Sequence, residues 1–184
     1  TFTVNKQATC ITGADVSTTY NINKDLVITL KDANGNPLTG VKVTVDLNGA
    51  ETYTTDKNGQ VKVSTKGLAP KTYTAKVTFD GNTNYEKSAK NVKVTVKKAT
   101  PKLTAKKKTF KTSVKTKKYT ITLKDNTGKA IKKAKVTLKV KGKTYKATTN
   151  SRGQATFKIN KLKKKGTFKA TIKFAGDANL NRVT

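Results

Sequence analysis

The chain has 184 residues, with 40 Lys and Arg against 10 Asp and Glu, a net charge of +30, one Cys and no His. That length allows one or two domains. The missing His and the single Cys leave nucleophilic, general acid–base and metal chemistry without their usual groups, and no apolar run approaches the ~20 residues that cross a bilayer.

Taken from the start, residues 1–6, TFTVNK, alternate apolar and polar side chains and read as a strand, with Phe2 and Val4 on one face. This is not the charged head and apolar stretch of a signal peptide. The stretch FTVNKQAT resembles VTVKKAT at 94–100, so these residues read as the last strand of an upstream unit, as in a mature or excised fragment. The first full unit spans 7–98. Cys10 falls on its first strand opposite Leu103 of a second copy, and is expected to be a small buried hydrophobe rather than an intermolecular bridge.

Residues 26–47 (LVITLKDANGNPLTGVKVTVDL) recur as residues 119–140 (YTITLKDNTGKAIKKAKVTLKV). Each copy is a period-two run, a polar turn and another period-two run. Leu26, Ile28 and Leu30 share one strand face, as do Val41, Val43, Val45 and Leu47. The intervening Asp32, Asn34, Gly35 and Pro37 are turn formers. A short strand at 51–55 leads into a turn to Val61, where Asn58-Gly59 is a hairpin signal. Strands at 71–79 and 91–97 close the unit, for about seven in all at short spacing. That is the pattern of a β-sandwich.

Ala99-Thr100-Pro101 is the linker, with Pro holding the preceding residue extended. The second unit, 99–184, repeats the order 93 to 95 residues later. Phe157 and Ile159 match the strand after Gly59, and Phe168, Ala170, Ile172 and Phe174 match Tyr73 to Phe79 as an inward-facing set. The segment ends before any equivalent of Val92–Val96, so this unit is expected to lack its closing strand. The fold class is all-β, two tandem immunoglobulin-like sandwiches.

The motif D-A-N-G-N-P-L-x-G-V-x-V-T-V at 32–45, followed by T-T-D-K-N-G-Q-V at 54–61, resembles the bacterial immunoglobulin-like repeats of invasin- and intimin-type surface proteins. The F-D-G-N-x-N-Y close at 79–85 is similar to repeats in adhesin-like surface proteins of methanogenic archaea. The resemblance implies a fold and surface display, and names no ligand. The second copy departs from it by lacking the Pro and by placing Lys133 where the first has Gly40.

Charge divides unevenly. Residues 1–99 carry 14 basic and 8 acidic residues, while residues 100–184 carry 26 and 2, for +6 and +24. Lys106, Lys107, Lys108, Lys132, Lys133, Lys163, Lys164 and Lys165 are the candidate polyanion contacts. Base-stacking aromatics are not interleaved with them, which argues against sequence-specific nucleic-acid recognition. Acidic cell-wall polymers or polysaccharides fit better, and the alternative is a solvated Lys surface that protects strand edges. Asp80 to Glu86 has oxygen side chains at alternate positions but Tyr85 where a calcium loop needs Gly, so it reads as a hairpin loop. No Lys, Asn and carboxyl triplet for a covalent cross-link is evident. No catalytic, cofactor or metal residue is assigned.

The expected function is non-enzymatic: a secreted or cell-surface spacer of an adhesin or fibre, whose partners are neighbouring repeats or identical subunits. The alternatives are a polyanion-binding module and a head-to-tail filament in which Phe2 and Val4 add a strand to the second unit of the next molecule. A chain beginning at Ala8 separates that filament from the spacer. Strand donation requires its oligomers to vanish in sedimentation at equal concentration; unchanged oligomers overturn it.

Overall fold

The computed structural model describes residues 1–184, which form strands, turns and coil without a helix. The chain divides into two compact units, Thr1–Lys97 and Lys98–Thr184. The first contains β1 (Thr9–Gly13), β2 (Val16–Thr19), β3 (Leu26–Asp32), β4 (Lys42–Asp46), β5 (Ala50–Thr54), β6 (Gln60–Val63), β7 (Thr72–Phe79) and β8 (Ser88–Lys97). One sheet has the order β1-β3-β6 and the other β2-β8-β7-β4-β5. All pairs are antiparallel except β2 with β8. Leu26, Ile28 and Leu30 from the first sheet meet Val43, Val45, Val77, Val92 and Val94 from the second, all at most 1% exposed. Each such burial is worth about 1.5–3 kcal/mol.

The second unit contains β9 (Lys102–Thr104), β10 (Lys117–Lys124), β11 (Lys135–Val140), β12 (Lys143–Thr148), β13 (Gln154–Ile159) and β14 (Ala170–Phe174). Its sheets are β9-β10-β13 and β12-β11-β14. Phe157, Ile121, Leu123 and Leu138 fill its core. Phe174 pairs with Val183 through an isolated bridge, as Phe79 pairs with Ser88 at the opening of β8.

One turn is used four times. In Asp32–Asn36, Asp56–Gln60, Asp125–Lys129 and Asn150–Gln154, the first side-chain oxygen accepts the backbone N–H groups two and four residues on, at 2.8–3.0 Å. The fourth residue is always Gly, with φ between 69° and 86°, and its N–H returns to the first carbonyl. The side chain thus offers the backbone a local partner, and the Gly supplies the left-handed step. At Gly59 and Gly153 the turn also packs inward. A Cβ there would lie 2.5 Å from the Leu30 carbonyl and 2.4 Å from that of Leu123. Beside each stands a buried threonine. The Thr55 hydroxyl donates to the Leu38 carbonyl at 2.6 Å and accepts the Val41 N–H. The Thr149 hydroxyl accepts the Ala134 N–H at 2.8 Å.

Several sequence expectations change. Residues 1–6 form no strand; Phe2 and Val4 are fully exposed, and the first pairing is the isolated bridge from Gln7 to Tyr85. Cys10 is exposed rather than buried, because β1 turns Ile11 inward and its neighbours outward. The Asn58-Gly59 turn joins no hairpin: β5 pairs with β4, β6 pairs with β3, and the turn crosses between sheets. In the second unit Phe168 lies before β14 and is half-buried, and Ala170 is exposed, so only Ile172 and Phe174 of that set face the core. Lys133 keeps the left-handed backbone of Gly40, with φ of 55° against 71°.

Glycine substitution discriminates the two roles of this turn. Gly128, with nothing near its missing Cβ, should lose about 1 kcal/mol on change to Ala, from backbone conformation alone. Gly153→Ala should lose at least twice as much in urea denaturation, because its Cβ meets a main-chain oxygen. Equal losses would mean that the close approach is relieved at no cost.

Candidate polyanion-binding surfaces

The charge of the second unit is placed by strand alternation. On β11 the residues Val136, Leu138 and Val140 turn inward, which leaves Lys135, Thr137 and Lys139 on the outer face. Register extends this across the sheet. Thr137 lies between Lys146 of β12 and Lys173 of β14, and Lys135 opposes Thr148. Together with Ala175 and Arg182, these residues line an open trough of about 750 Å³. The corresponding row of the first unit is Thr52, Thr44 and Thr78. The scaffold is the same, and two threonines have become lysines.

A smaller cleft of about 300 Å³ lies at the turn end of β11 and β12. Val140 pairs with Lys143, and Lys141-Gly142 makes the two-residue turn, both with positive φ. Tyr145 pairs with Leu138 on the inward side. The loop after β13 brings Leu162, Lys163, Lys164 and Phe168 to the same place. The Lys141 ammonium stands 5.3 Å from the centre of the Phe168 ring, a cation–π contact. The Tyr145 hydroxyl is buried and has no hydrogen-bond partner.

The predicted lysines do not form one site. Lys106, Lys107 and Lys108 are exposed on the segment between β9 and β10, where Lys108 donates to the Lys118 carbonyl at 3.0 Å and stands 5.2 Å from the Phe110 ring. Lys132 and Lys133 are exposed in the turn before β11. Of Lys163, Lys164 and Lys165, the first two line the cleft. Lys117, in another basic run, is buried and donates to the Val114 carbonyl at 2.7 Å. Lys141, Lys143, Lys161 and Tyr145 were not singled out from the sequence. Their signal was the Lys-Gly turn between two period-two runs, which says nothing of the loop that folds over it.

Asp32, Asp56, Asp125 and Asp177 serve turns. At Asp32 burial opposes ionisation, but the Asn36 N–H, the Asn36 side-chain amide and the Asn34 N–H outweigh it and hold the carboxyl below its ordinary value. At Asp56 the N–H groups of Gln60 and Asn58 do the same, helped by Lys62 and Lys57. The Tyr53 hydroxyl is pushed up to about 12, chiefly by donating to Glu51 at 2.6 Å. In the loop first weighed for calcium, the Asn82 side-chain oxygen caps the N–H groups of Asn84 and Tyr85. Asp177 caps Asn179 and Leu180 in the second copy. No group of three His, Cys, Asp or Glu side chains converges.

Two sheets facing across a common core, with the first edge segment shared between them and one parallel edge pair, define an immunoglobulin-like sandwich. Residues 24–109, a little under half of the chain, match the family described as the SpaA prealbumin-like fold domain. No curated protein matches by sequence. Among solved structures the chain is similar to invasin, described as a bacterial integrin-binding protein, with a TM-score of 0.55 and 18% identity over 93% of this chain and 37% of that one. Titin domains Z1Z2 in complex with telethonin give 0.45 and 9% over 98% and 94%. The Yersinia pseudotuberculosis adhesin InvE gives 0.39 and 16% over 95% and 56%. The chain thus spans little more than a third of invasin's length. The invasin likeness establishes the fold.

The capped carboxylates set an acid limit. A lowered folded-state pKa contributes stability that is present above the unfolded value near ~3.9 and lost as pH falls through the folded one. Asp56→Asn copies the neutral Asn150 of the second unit. Its urea midpoint should fall less between pH 6 and pH 2.5 than that of the parent chain. An equal fall would assign the acid sensitivity elsewhere.

Proposed function

We propose that this chain is a non-enzymatic structural segment of a secreted or cell-surface adhesion protein, serving as a spacer built from repeated sandwiches. The observation that carries it is the duplicated framework: two units share core positions, buried threonine and Asx-Gly turns, and differ chiefly in surface charge. Such repetition suits length and display rather than a deep catalytic pocket. Four of the ten acidic residues, Asp32, Asp56, Asp125 and Asp177, commit a side-chain oxygen to turn N–H groups. Invasin, a bacterial integrin-binding protein of this fold, supports the same reading.

Strand donation by Phe2 and Val4 is the second reading, favoured by their complete exposure outside any strand. The spacer reading is tested on intact cells of the source organism. Antibody raised against residues 1–184 should label them without permeabilisation, and external protease should remove the label. Labelling only after lysis overturns the reading.

A further inference from the structure

We propose that the cleft between the β11–β12 turn and the loop after β13 binds one acidic sugar residue of a linear, carboxylate-bearing polysaccharide. The inference does not depend on the spacer reading, because it concerns one cleft within one unit.

Three observations converge on that cleft. The first is charge. Lys141, Lys143, Lys161, Lys163 and Lys164 line it, and no Asp or Glu occurs between Asp125 and Asp177. An entering carboxylate therefore meets ammonium groups and no acid from the surrounding chain. The second is the orphaned Tyr145 hydroxyl. A buried polar atom without a partner is costly, and a small turn of the lining side chains that opens the cleft onto this hydroxyl would let a sugar hydroxyl or carboxylate oxygen supply the missing hydrogen bond. The third is the apolar wall. Leu162 and half-buried Phe168 stand beside the lysines, a surface suited to the C–H face of a pyranose.

The volume, about 300 Å³, lies at the small end of ligand clefts and suits one sugar ring. The cleft is open, so a chain can continue on either side. Stacked nucleic-acid bases fit less well. Successive bases need a series of free aromatic faces, whereas a single half-buried phenylalanine lines this cleft. The first unit offers a contrast at the same register. Val45 pairs with Glu51 where Leu138 pairs with Tyr145, so an acid occupies the position of the phenol and would repel the same ligand.

The test is calorimetric titration of the full chain with oligogalacturonate at 0.15 M salt, beside neutral oligogalactan, polyphosphate and a single-stranded oligonucleotide. Oligogalacturonate should bind and neutral oligogalactan should not. Tyr145→Phe should weaken binding about fivefold to tenfold by removing one hydrogen bond, with an unchanged or higher melting temperature because the hydroxyl is unpaired. Lys163→Gln with Lys164→Gln should weaken it about tenfold. Lys106→Gln with Lys107→Gln, which removes equal charge elsewhere, should change it by less than about twofold.

Equal losses from the two lysine pairs would mean that only net charge attracts the polymer, and would overturn the site. An unchanged affinity in Tyr145→Phe would overturn it as well. So would tighter binding of polyphosphate or the oligonucleotide than of oligogalacturonate.

Discussion

In each unit a main-chain carbonyl and a glycine meet so closely that no side chain fits between them. Leu30 and Gly59 make this contact in the first unit and Leu123 and Gly153 in the second, each with the leucine N–H donating to the glycine carbonyl at 2.8 Å. The glycine belongs to the turn that carries the chain from one sheet to the other. The buried threonine immediately before that turn binds the segment leading into the facing strand, through Thr55 to Val41 and Thr149 to Ala134. The contact therefore fixes where the two sheets come together. Core partners across the two sheets follow from that placement, and both units preserve it while their charges diverge.

That framework explains how the second unit tolerates its lysines. Its core is assembled from Phe157, Ile121, Leu123 and Leu138, none of which interacts through charge. The period of two sends the intervening lysines outward, where water solvates them and lysine at strand edges discourages sheet-to-sheet pairing. Self-repulsion still opposes compaction. Lys117 shows how an amine turned inside is accommodated, with its head group hydrogen-bonded to a carbonyl three residues away.

The Asx-Gly turns connect stability to the reading of function. Asp32 and Asp56 are held ionised by the backbone N–H groups they accept, and the accepting oxygen is committed to the fold. Asn150 fills the same place without charge, so the geometry of the acceptor matters more than its ionisation. This use of oxygen ligands leaves the surface basic and the turns locally fixed, a combination suited to a repeated structural unit.

The sequence by itself determined most of the strands, the sandwich class and the duplicated framework, though residues 1–6 form no strand and β2 has no pattern of its own. Alternation with period two reveals which residues share a face, and Asp or Asn three residues before Gly marks a turn whose hydrogen bonds are local. Only the tertiary structure decided which strands are neighbours. The two runs at 26–30 and 41–47 look like a hairpin, yet β3 and β4 lie in different sheets. Cys10 looked buried because its repeat partner is Leu103, but the phase of β1 relative to Ile11 turns it out. The cleft was hidden for the same reason. Lys143 and Tyr145 belong to one strand and Lys163 and Phe168 to a later loop, and no local pattern encodes their meeting. Pairing between distant segments depends on the packing of the whole unit, whereas face and turn depend on a few adjacent residues.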